Sequence, residues 1–379
     1  MKNLFANKFT LGIYGDGQLA RMLALSAQSQ GLTVLIFTLN KEDSPCLGVS
    51  ELFLGASFHD QESFENFCAC CENIVLENEF IPPSFLQTLE SKKGRSFPNA
   101  ESYLRVSNKL KQVQLVESLG IKVPCYKVLE LSNEDAFLNI SLPCMLKSLS
   151  GGYDGYGNFT FSKQDQLPEA KLFLSKWGRV LAQEFISFES ELAVMIVSDG
   201  NQFHSFPVVE TVQENNICHF ALTPARIKVA IQEKIQEAAI KIIKAINGVG
   251  LFAVEFFLLG DEILFNEVAP RPHNSGHFSI EACDYSQFDA LVKLIKEQKL
   301  SPPKLTTPAV GMLNLLGTHN GEANFQGDQK FTKHPQGFLH LYGKQHSRIG
   351  RKMGHFTLLG ENQTQILSEL KVLKERYQI

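Results

Sequence analysis

A chain of 379 residues is long enough for two or three domains, and 44% hydrophobic with 20% charged residues is ordinary globular composition. A formal net charge of −4 implies no general affinity for nucleic acid, and eight scattered cysteines without two Cys-x-x-Cys pairs offer no zinc framework. No window of 18 uninterrupted apolar residues occurs, because Glu255 interrupts the best run (249–259), and no long apolar stretch opens the chain; a soluble cytoplasmic protein with reduced thiols and no membrane partner is expected.

Residues 11–14 read as a buried strand, Gly15-Asp16-Gly17-Gln18 as a tight turn, 19–30 as a helix closed by Gly31, and 33–38 as a second, parallel strand. Gly15, Gly17 and Ala20 match the loose dinucleotide fingerprint G-x-G-x-x-A, on which a nicotinamide oxidoreductase reading rests. The tip of the second strand carries Thr38-Leu39-Asn40 rather than an acidic residue; what the turn offers is backbone N–H groups at a helix N-terminus. Residues 73–76 read as a further strand, followed by Glu77-Asn78-Glu79. Carboxylates at that end of an open α/β sheet lie where ligands bind, and a charged loop fits equally. Residues 108–119 are helical by period and close at Gly120, with a domain boundary near residue 106.

A short apolar strand (143–146) then leads into Lys147 and a run with four glycines, Gly151, Gly152, Gly155 and Gly157. Glycine lets backbone N–H groups approach an anion, so strand, lysine and glycine-rich flap suit a polyphosphate. The Gly-Lys-Ser/Thr ending of a Walker loop is absent, and a surface hairpin is the competing reading. Residues 158–162 can return as the second arm. Further strands are expected at 180–186, 191–197 and 202–209, a helix at 227–246 stopped by Gly248, and a hairpin of 249–259 with 262–268. A three-residue turn in that hairpin sets Glu255 opposite Glu267. A two-residue turn sets Asn266 there and sends Glu267 to the other face. Facing carboxylates destabilise a sheet unless a divalent cation lies between them, so the first register describes a hard-oxygen Mg²⁺ site. A helix over 285–300, a break at Pro302-Pro303, and a tail of short strands with Lys344, Arg348, Arg351 and Lys352 complete the chain.

Gly15-Asp16-Gly17-Gln18-Leu19-Ala20-Arg21-Met22, Glu77-Asn78-Glu79, Gly151-Gly152-Tyr153-Asp154-Gly155, Asn266-Glu267-Val268-Ala269-Pro270-Arg271 and His273-Asn274-Ser275-Gly276-His277 follow one another in this order. Together they resemble the N5-carboxyaminoimidazole ribonucleotide synthetases, ATP-grasp enzymes of purine biosynthesis, from residue 11 to about His355. The resemblance implies a chain of α/β and α+β character: an open α/β domain (1–105), a two-lobed ATP-grasp domain (106–300) and a small β-rich C-terminal domain (301–379). It implies ATP and Mg²⁺ as cofactors, aminoimidazole ribonucleotide and bicarbonate as substrates, and a homodimer. Lys109 and Lys147 would contact ATP, with the flap Gly152, Tyr153, Asp154, Gly155, Tyr156, Gly157 and Asn158 over the phosphates. Gln183, Glu184, Phe185 and Ile186 would form the adenine-side connector and Glu191 would hold the ribose. Gln213, Asn266 and Glu267 would complete the nucleotide contacts, and Glu255 with Glu267 would carry Mg²⁺. Gln18, Glu77, Tyr153, Asp154, Arg271, Lys344 and Arg351 would surround the ribonucleotide. Lys147, Tyr153, Asp154 and Arg271 would act in catalysis.

The implied reaction is phosphorylation of bicarbonate by ATP, followed by carboxylation of the ribonucleotide amine. Four positions depart from the family pattern: Gln183 for Glu, Gln213 for His, Tyr156 for a basic residue and Val113 for Lys. A formate-dependent glycinamide ribonucleotide transformylase keeps the fold, but the Gly-Gly-Tyr-Asp-Gly block argues against it. A catalytically weakened ATP-binding relative is the reading that rests on the departures.

Overall fold

The computed structural model describes residues 9–77, 81–91, 95–133, 135–138, 140–151, 157–214 and 217–379, Pro83 and Ser91 by backbone alone. The first segment forms a parallel sheet in the order Glu51–Leu54, Val34–Thr38, Phe9–Tyr14, Cys71–Leu76, Ser96–Phe97. Its central strands are buried along almost their whole length, as expected for strands covered on both faces. The order reverses at Phe9–Tyr14. The turn after that strand and Glu77, after Cys71–Leu76, therefore share the crevice at the switch point. The Glu77 N–H donates to Tyr14 O at 3.1 Å, which ties the two strand ends together.

The next segment has two lobes. The smaller is an antiparallel sheet in the order Tyr126–Glu130, Arg179–Glu184, Cys144–Ser148, Asn158–Phe161, backed by the helix Leu167–Trp177. The larger is built on Glu262–Ala269, Val249–Leu259, Ser190–Asp199, Val209–Glu214 and Ile217–Thr223, all antiparallel. The helix Val229–Ala245 packs on it through Ile231, Ile235, Ala239 and Ile242, spaced to share one helical face.

The last segment is rich in strands and carries one long helix. Its short strands make two small two-stranded sheets, Gly321–Glu322 with His346–Ser347 and Gln326–Gly327 with Tyr377–Gln378, but its three longer strands do not make a sheet of their own. Ala309–Leu316 pairs with Ile217–Thr223, then with Lys352–Gly360, which pairs with Gly337–Leu341, so the large sheet runs on without interruption. The helix Gln363–Lys374 covers this extension with Ile366, Leu367, Leu370 and Leu373. One apolar core takes side chains from all three segments, among them Ile13, Leu23, Met195, Leu251, Phe288 and Tyr342.

Three element boundaries differ from expectation. The strand expected at 202–209 is two, Phe203–Ser205 and Val209–Glu214. Pro207, which has no N–H, interrupts the ladder while Phe206 and Val208 turn into cores. The strand expected at 180–186 ends at Glu184, and the helix expected at 285–300 spans only Gln287–Ile295. A Ser286/Asp289 capping box starts that helix, and Glu297 lies beyond it at φ 53°. No described helix is long and apolar enough to cross a membrane.

Candidate active site

The hairpin of Val249–Leu259 and Glu262–Ala269 supplies the centre of the cleft between the lobes. Its turn is the two-residue form, with Leu259 paired to Glu262 and Phe256 to Phe265. A bulge beside Glu255 then restores Glu255 opposite Glu267. Both sequence alternatives were thus partly right. The bulge lets two successive residues, Asn266 and Glu267, reach groups in the cleft, which a regular strand forbids. Asn266 Nδ2 donates to Glu255 Oε2 at 3.1 Å, while Lys109 Nζ donates to Glu267.

Lys147, on Cys144–Ser148 of the small lobe, closes the cleft by donating from Nζ to Asn266 Oδ1 at 2.9 Å. Lys109 comes from the first position of the helix Lys109–Ser118. There the Asn108 side chain caps by accepting from Leu110 N and Lys111 N at 3.0 and 3.2 Å. The Lys109 N–H donates to Leu149 O at 2.8 Å, so this helix start also touches the small lobe. Glu191 lies on Ser190–Asp199 opposite Thr211, whose hydroxyl donates to its carboxylate at 3.0 Å; Gln213 Nε2 donates to the same oxygen at 2.9 Å.

The charges are unbalanced in an informative way. Burial and the facing Glu191 and Glu267 push the Glu255 carboxyl well above its usual range, and burial raises the Glu191 carboxyl against the hydrogen bonds from Gln213 and Thr211. Lys109 holds Glu267 well below the usual range. Burial, with Lys109 nearby, lowers the Lys147 ammonium to about 8 against the pull of the three glutamates. No group of three or more His, Cys, Asp or Glu side chains among the described residues is arranged to hold a metal alone. Two carboxylates and an amide oxygen do fit Mg²⁺ shared with phosphate oxygens, the arrangement that cation favours, and burial beside two other carboxylates leaves the ionised form of Glu255 in want of a cation.

Gln183 is buried, and its Nε2 has no partner among the described residues. It pairs with Met145, two residues from Lys147 along the strand, so Gln183 and Lys147 share one face of the small sheet. Beyond it Glu184 and Phe185 are exposed and Ile186 is half-buried. Gly157 and Asn158 are described, the latter paired with Lys147. Gly152, Tyr153, Asp154, Gly155 and Tyr156 lie outside the described residues. Val113 is buried in the core under the helix Lys109–Ser118, so an apolar side chain suits its place.

A second group of charges gathers at the switch point. Glu77 accepts from the Ala20 N–H and so occupies the N-terminus of the helix Gln18–Ser29. A Cβ on Gly17 would lie 2.4 Å from Glu77 Oε1, which explains a glycine there. Asp16 is held by the Thr38 hydroxyl at 2.5 Å. With carboxylates at that helix end, the dinucleotide-pyrophosphate reading of the turn fails. Burial raises the Glu77 carboxyl to about 7, opposed by Arg271 and Lys344, which places these two cations in its field. Lys344 Nζ also donates to Lys352 O at 2.6 Å. Gln18 opens the helix at the rim of this crevice. Arg351 is tied to its own turn, donating to His346 O at 2.6 Å beside Arg348; none of its contacts among the described residues reaches Arg271 or Lys344.

Sequence reasoning assigned no role to three neighbours of these groups. His273 Nε2 lies 3.4 Å from Glu255, Thr211 supports Glu191, and Gln112 bonds the backbone of Val268. Thr211 was findable as the residue two before Gln213 on one strand; the other two contacts join segments more than ten residues apart. The remainder of the His273 loop is structural. Asn274 and Asn314 exchange side-chain amide bonds at 2.8 and 2.7 Å, and the Gln287 amide bonds both His273 O and His277.

The chain matches the ribonucleotide synthetase preATP-grasp domain over residues 8–107, the ATP-grasp domain over 114–288 and the phosphoribosylaminoimidazole carboxylase C-terminal domain over 310–369. It is 35% identical to the N5-carboxyaminoimidazole ribonucleotide synthase of Staphylococcus saprophyticus, covering 98% of this chain and 99% of that one. It is 34% identical to that of Synechococcus elongatus over 92% and 89% of the two chains. Among solved structures, N5-carboxyaminoimidazole synthetase from Staphylococcus aureus complexed with ADP superimposes with a TM-score of 0.86 at 31% identity, covering 97% of this chain and 98% of that one. The synthase from Aspergillus clavatus in complex with ADP and 5-aminoimidazole ribonucleotide gives the same TM-score, identity and coverage. With three consecutive domain matches, near-full-length relatives and a cleft lined by lysines and glutamates in the same fold, the chain belongs to the N5-carboxyaminoimidazole ribonucleotide synthase family.

Proposed function

We propose that this chain is an ATP-dependent carbon–nitrogen ligase that carboxylates 5-aminoimidazole ribonucleotide with bicarbonate. The products are N5-carboxyaminoimidazole ribonucleotide, ADP and phosphate, in purine biosynthesis. The observation that carries the reading is the chain of contacts from Lys147 through Asn266 to Glu255, which joins the two lobes across a cleft with two lysines and three glutamates. Such a cleft suits a polyphosphate and its cation and little else.

In this reading Lys147 and Lys109 neutralise the phosphates, Gln183 to Ile186 receive the adenine, and Glu191 with Gln213 receives the ribose. Glu255, Glu267 and Asn266 hold Mg²⁺, which when bound supplies charge neutralisation at the transferred phosphoryl group. The γ-phosphoryl group passes to a bicarbonate oxygen, breaking its bond to ADP and forming carboxyphosphate. The ribonucleotide amine then attacks the carboxyl carbon, or CO₂ released from it, and phosphate leaves. The protein's part is orientation, charge and exclusion of water from a labile intermediate. Gln18, Glu77, Arg271, Lys344 and Arg351 receive the ribonucleotide, joined by Tyr153 and Asp154 of the flap. The amides at Gln183 and Gln213 retain hydrogen-bonding capacity. We further propose a cytoplasmic homodimer divided at residues 105/106 and 300/301.

ADP release measured with and without each substrate tests this. Turnover that requires both bicarbonate and aminoimidazole ribonucleotide is the expected result. Turnover with formate and glycinamide ribonucleotide instead would overturn it.

A further inference from the structure

Glu262–Ala269 is the edge strand of the large sheet, so the outward N–H and C=O of Val268 have no strand neighbour. The Gln112 side chain takes that neighbour's place. Its Oε1 accepts from Val268 N at 2.9 Å, and its Nε2 donates to Val268 O at 3.0 Å. The second amide proton goes to Val106 O at 2.6 Å. Gln112 is 6% exposed, so one carboxamide, with every donor used, stands in for a peptide group of a missing strand.

The placement of this contact matters. Val268 directly follows Asn266 and Glu267, whose bulge sets both in the cleft. Gln112 lies one helical turn after Lys109, on the same face of the helix Lys109–Ser118. Lys109 and Glu267 have long side chains that would pair over a range of backbone separations; Gln112 fixes the separation. The same helix start is bonded to Leu149 of the small lobe through the Lys109 N–H.

We propose that Gln112 is a positioning residue for the metal–phosphate site: it clasps the helix Lys109–Ser118 to the bulged strand and so sets Lys109, Asn266 and Glu267 at the spacing that Mg²⁺ and the ATP phosphates require. This rests on the reading of the cleft as the ATP site. Gln112→Leu leaves both Val268 groups unpaired. Gln112→Glu keeps the acceptor for Val268 N–H but turns a carboxylate on two carbonyl oxygens unless it is protonated.

Steady-state kinetics on both variants, with thermal unfolding as the fold control, test the proposal. Gln112→Leu should raise KM for MgATP and the half-saturating Mg²⁺ concentration by about 10- to 100-fold while KM for the ribonucleotide stays within about twofold. Gln112→Glu should show a smaller defect that shrinks, relative to the parent chain, from about pH 8 to about pH 6, because a buried carboxyl regains its proton in that range. Equal rises in both KM values, a loss of kcat with both KM values kept, or a defect independent of pH would each overturn it. Mn²⁺ binding in the presence of ATP, followed by its spin-resonance signal, gives a readout separate from carboxylation. Should the parent chain fail to carboxylate, the functional reading falls. Weaker Mn²⁺–ATP binding by the variants would still support the clasp, and unchanged binding would overturn it.

Discussion

Glu255 and Glu267 face each other on one hairpin yet titrate in opposite directions. The difference is their company. Glu267 receives the Lys109 ammonium, whereas Glu255 has the Asn266 amide, His273 at 3.4 Å and two facing carboxylates. Glu267→Gln should therefore abolish ATP turnover while the protein stays folded; near-parental activity at ordinary Mg²⁺ would sink the metal assignment. Glu77 supplies a pH prediction. Its carboxyl is raised from 4.5 to about 7, so between those values the folded chain binds more protons than the unfolded one. Its unfavourable contribution is absent below the unfolded value and grows as pH rises through the folded one. Urea midpoints from about pH 4.5 to about pH 7 should fall with rising pH by less in Glu77→Gln than in the parent chain. Arg351 tests the transfer of the ribonucleotide site. Arg351→Ala should raise KM for the ribonucleotide by about 10- to 150-fold, equivalent to roughly 1.5–3 kcal/mol, and leave that for ATP unchanged. If neither moves, Arg351 serves only the turn at His346, and the ribonucleotide phosphate is held elsewhere.

At the scale of elements, the turn after Phe9–Tyr14 and the end of Cys71–Leu76 are fitted to each other through Gly17 and Glu77. Gly17→Ala forces the Glu77 carboxylate away from the helix N-terminus, at a cost of about 1 kcal/mol for the lost cap. It should also raise KM for the ribonucleotide and leave that for ATP alone; equal KM values in variant and parent would dissociate Glu77 from that substrate. The pairing of Glu255 with Glu267 was legible because strand period, turn residues and apolar neighbours all bear on it. The bulge that makes it possible was not, since one extra residue has the same composition as a longer turn. The roles of Lys109 and Glu191 were assigned through the family resemblance alone, because a lysine at a helix start and a glutamate near a strand start form no local pattern, whereas Lys147 was also marked by the glycine-rich run that follows it. Gln112 was read only as part of a helical period, because a buried amide that pairs with a distant strand edge leaves no local pattern. The break at Pro207 was written in the sequence, and the alternation on either side of it concealed the change of direction.

The whole molecule is organised by a sheet that disregards the segment boundaries. Ala309–Leu316 lies beside Ile217–Thr223, and Phe220 and Leu222 share a core with Leu313, Phe356 and Leu370. A chain ending at residue 300 would expose that apolar surface together with an unpaired strand edge, a template for aggregation. Such a truncation should be recovered mainly as insoluble material, and a soluble, cooperatively unfolding fragment would refute the prediction.

The same continuity bears on ancestry. A segment that completes its neighbour's sheet cannot be exchanged between relatives as a cassette, because the incoming strand must match the register and side-chain volumes of Ile217–Thr223. Crossovers near residue 300 should give inviable hybrids even between parents of equal activity, whereas crossovers inside the small lobe, whose four strands pair only with one another, should be inherited freely. Recombination would then keep the C-terminal strands and the hairpin of Val249–Leu259 with Glu262–Ala269 in one linkage group, although 39 residues (270–308) separate them along the chain.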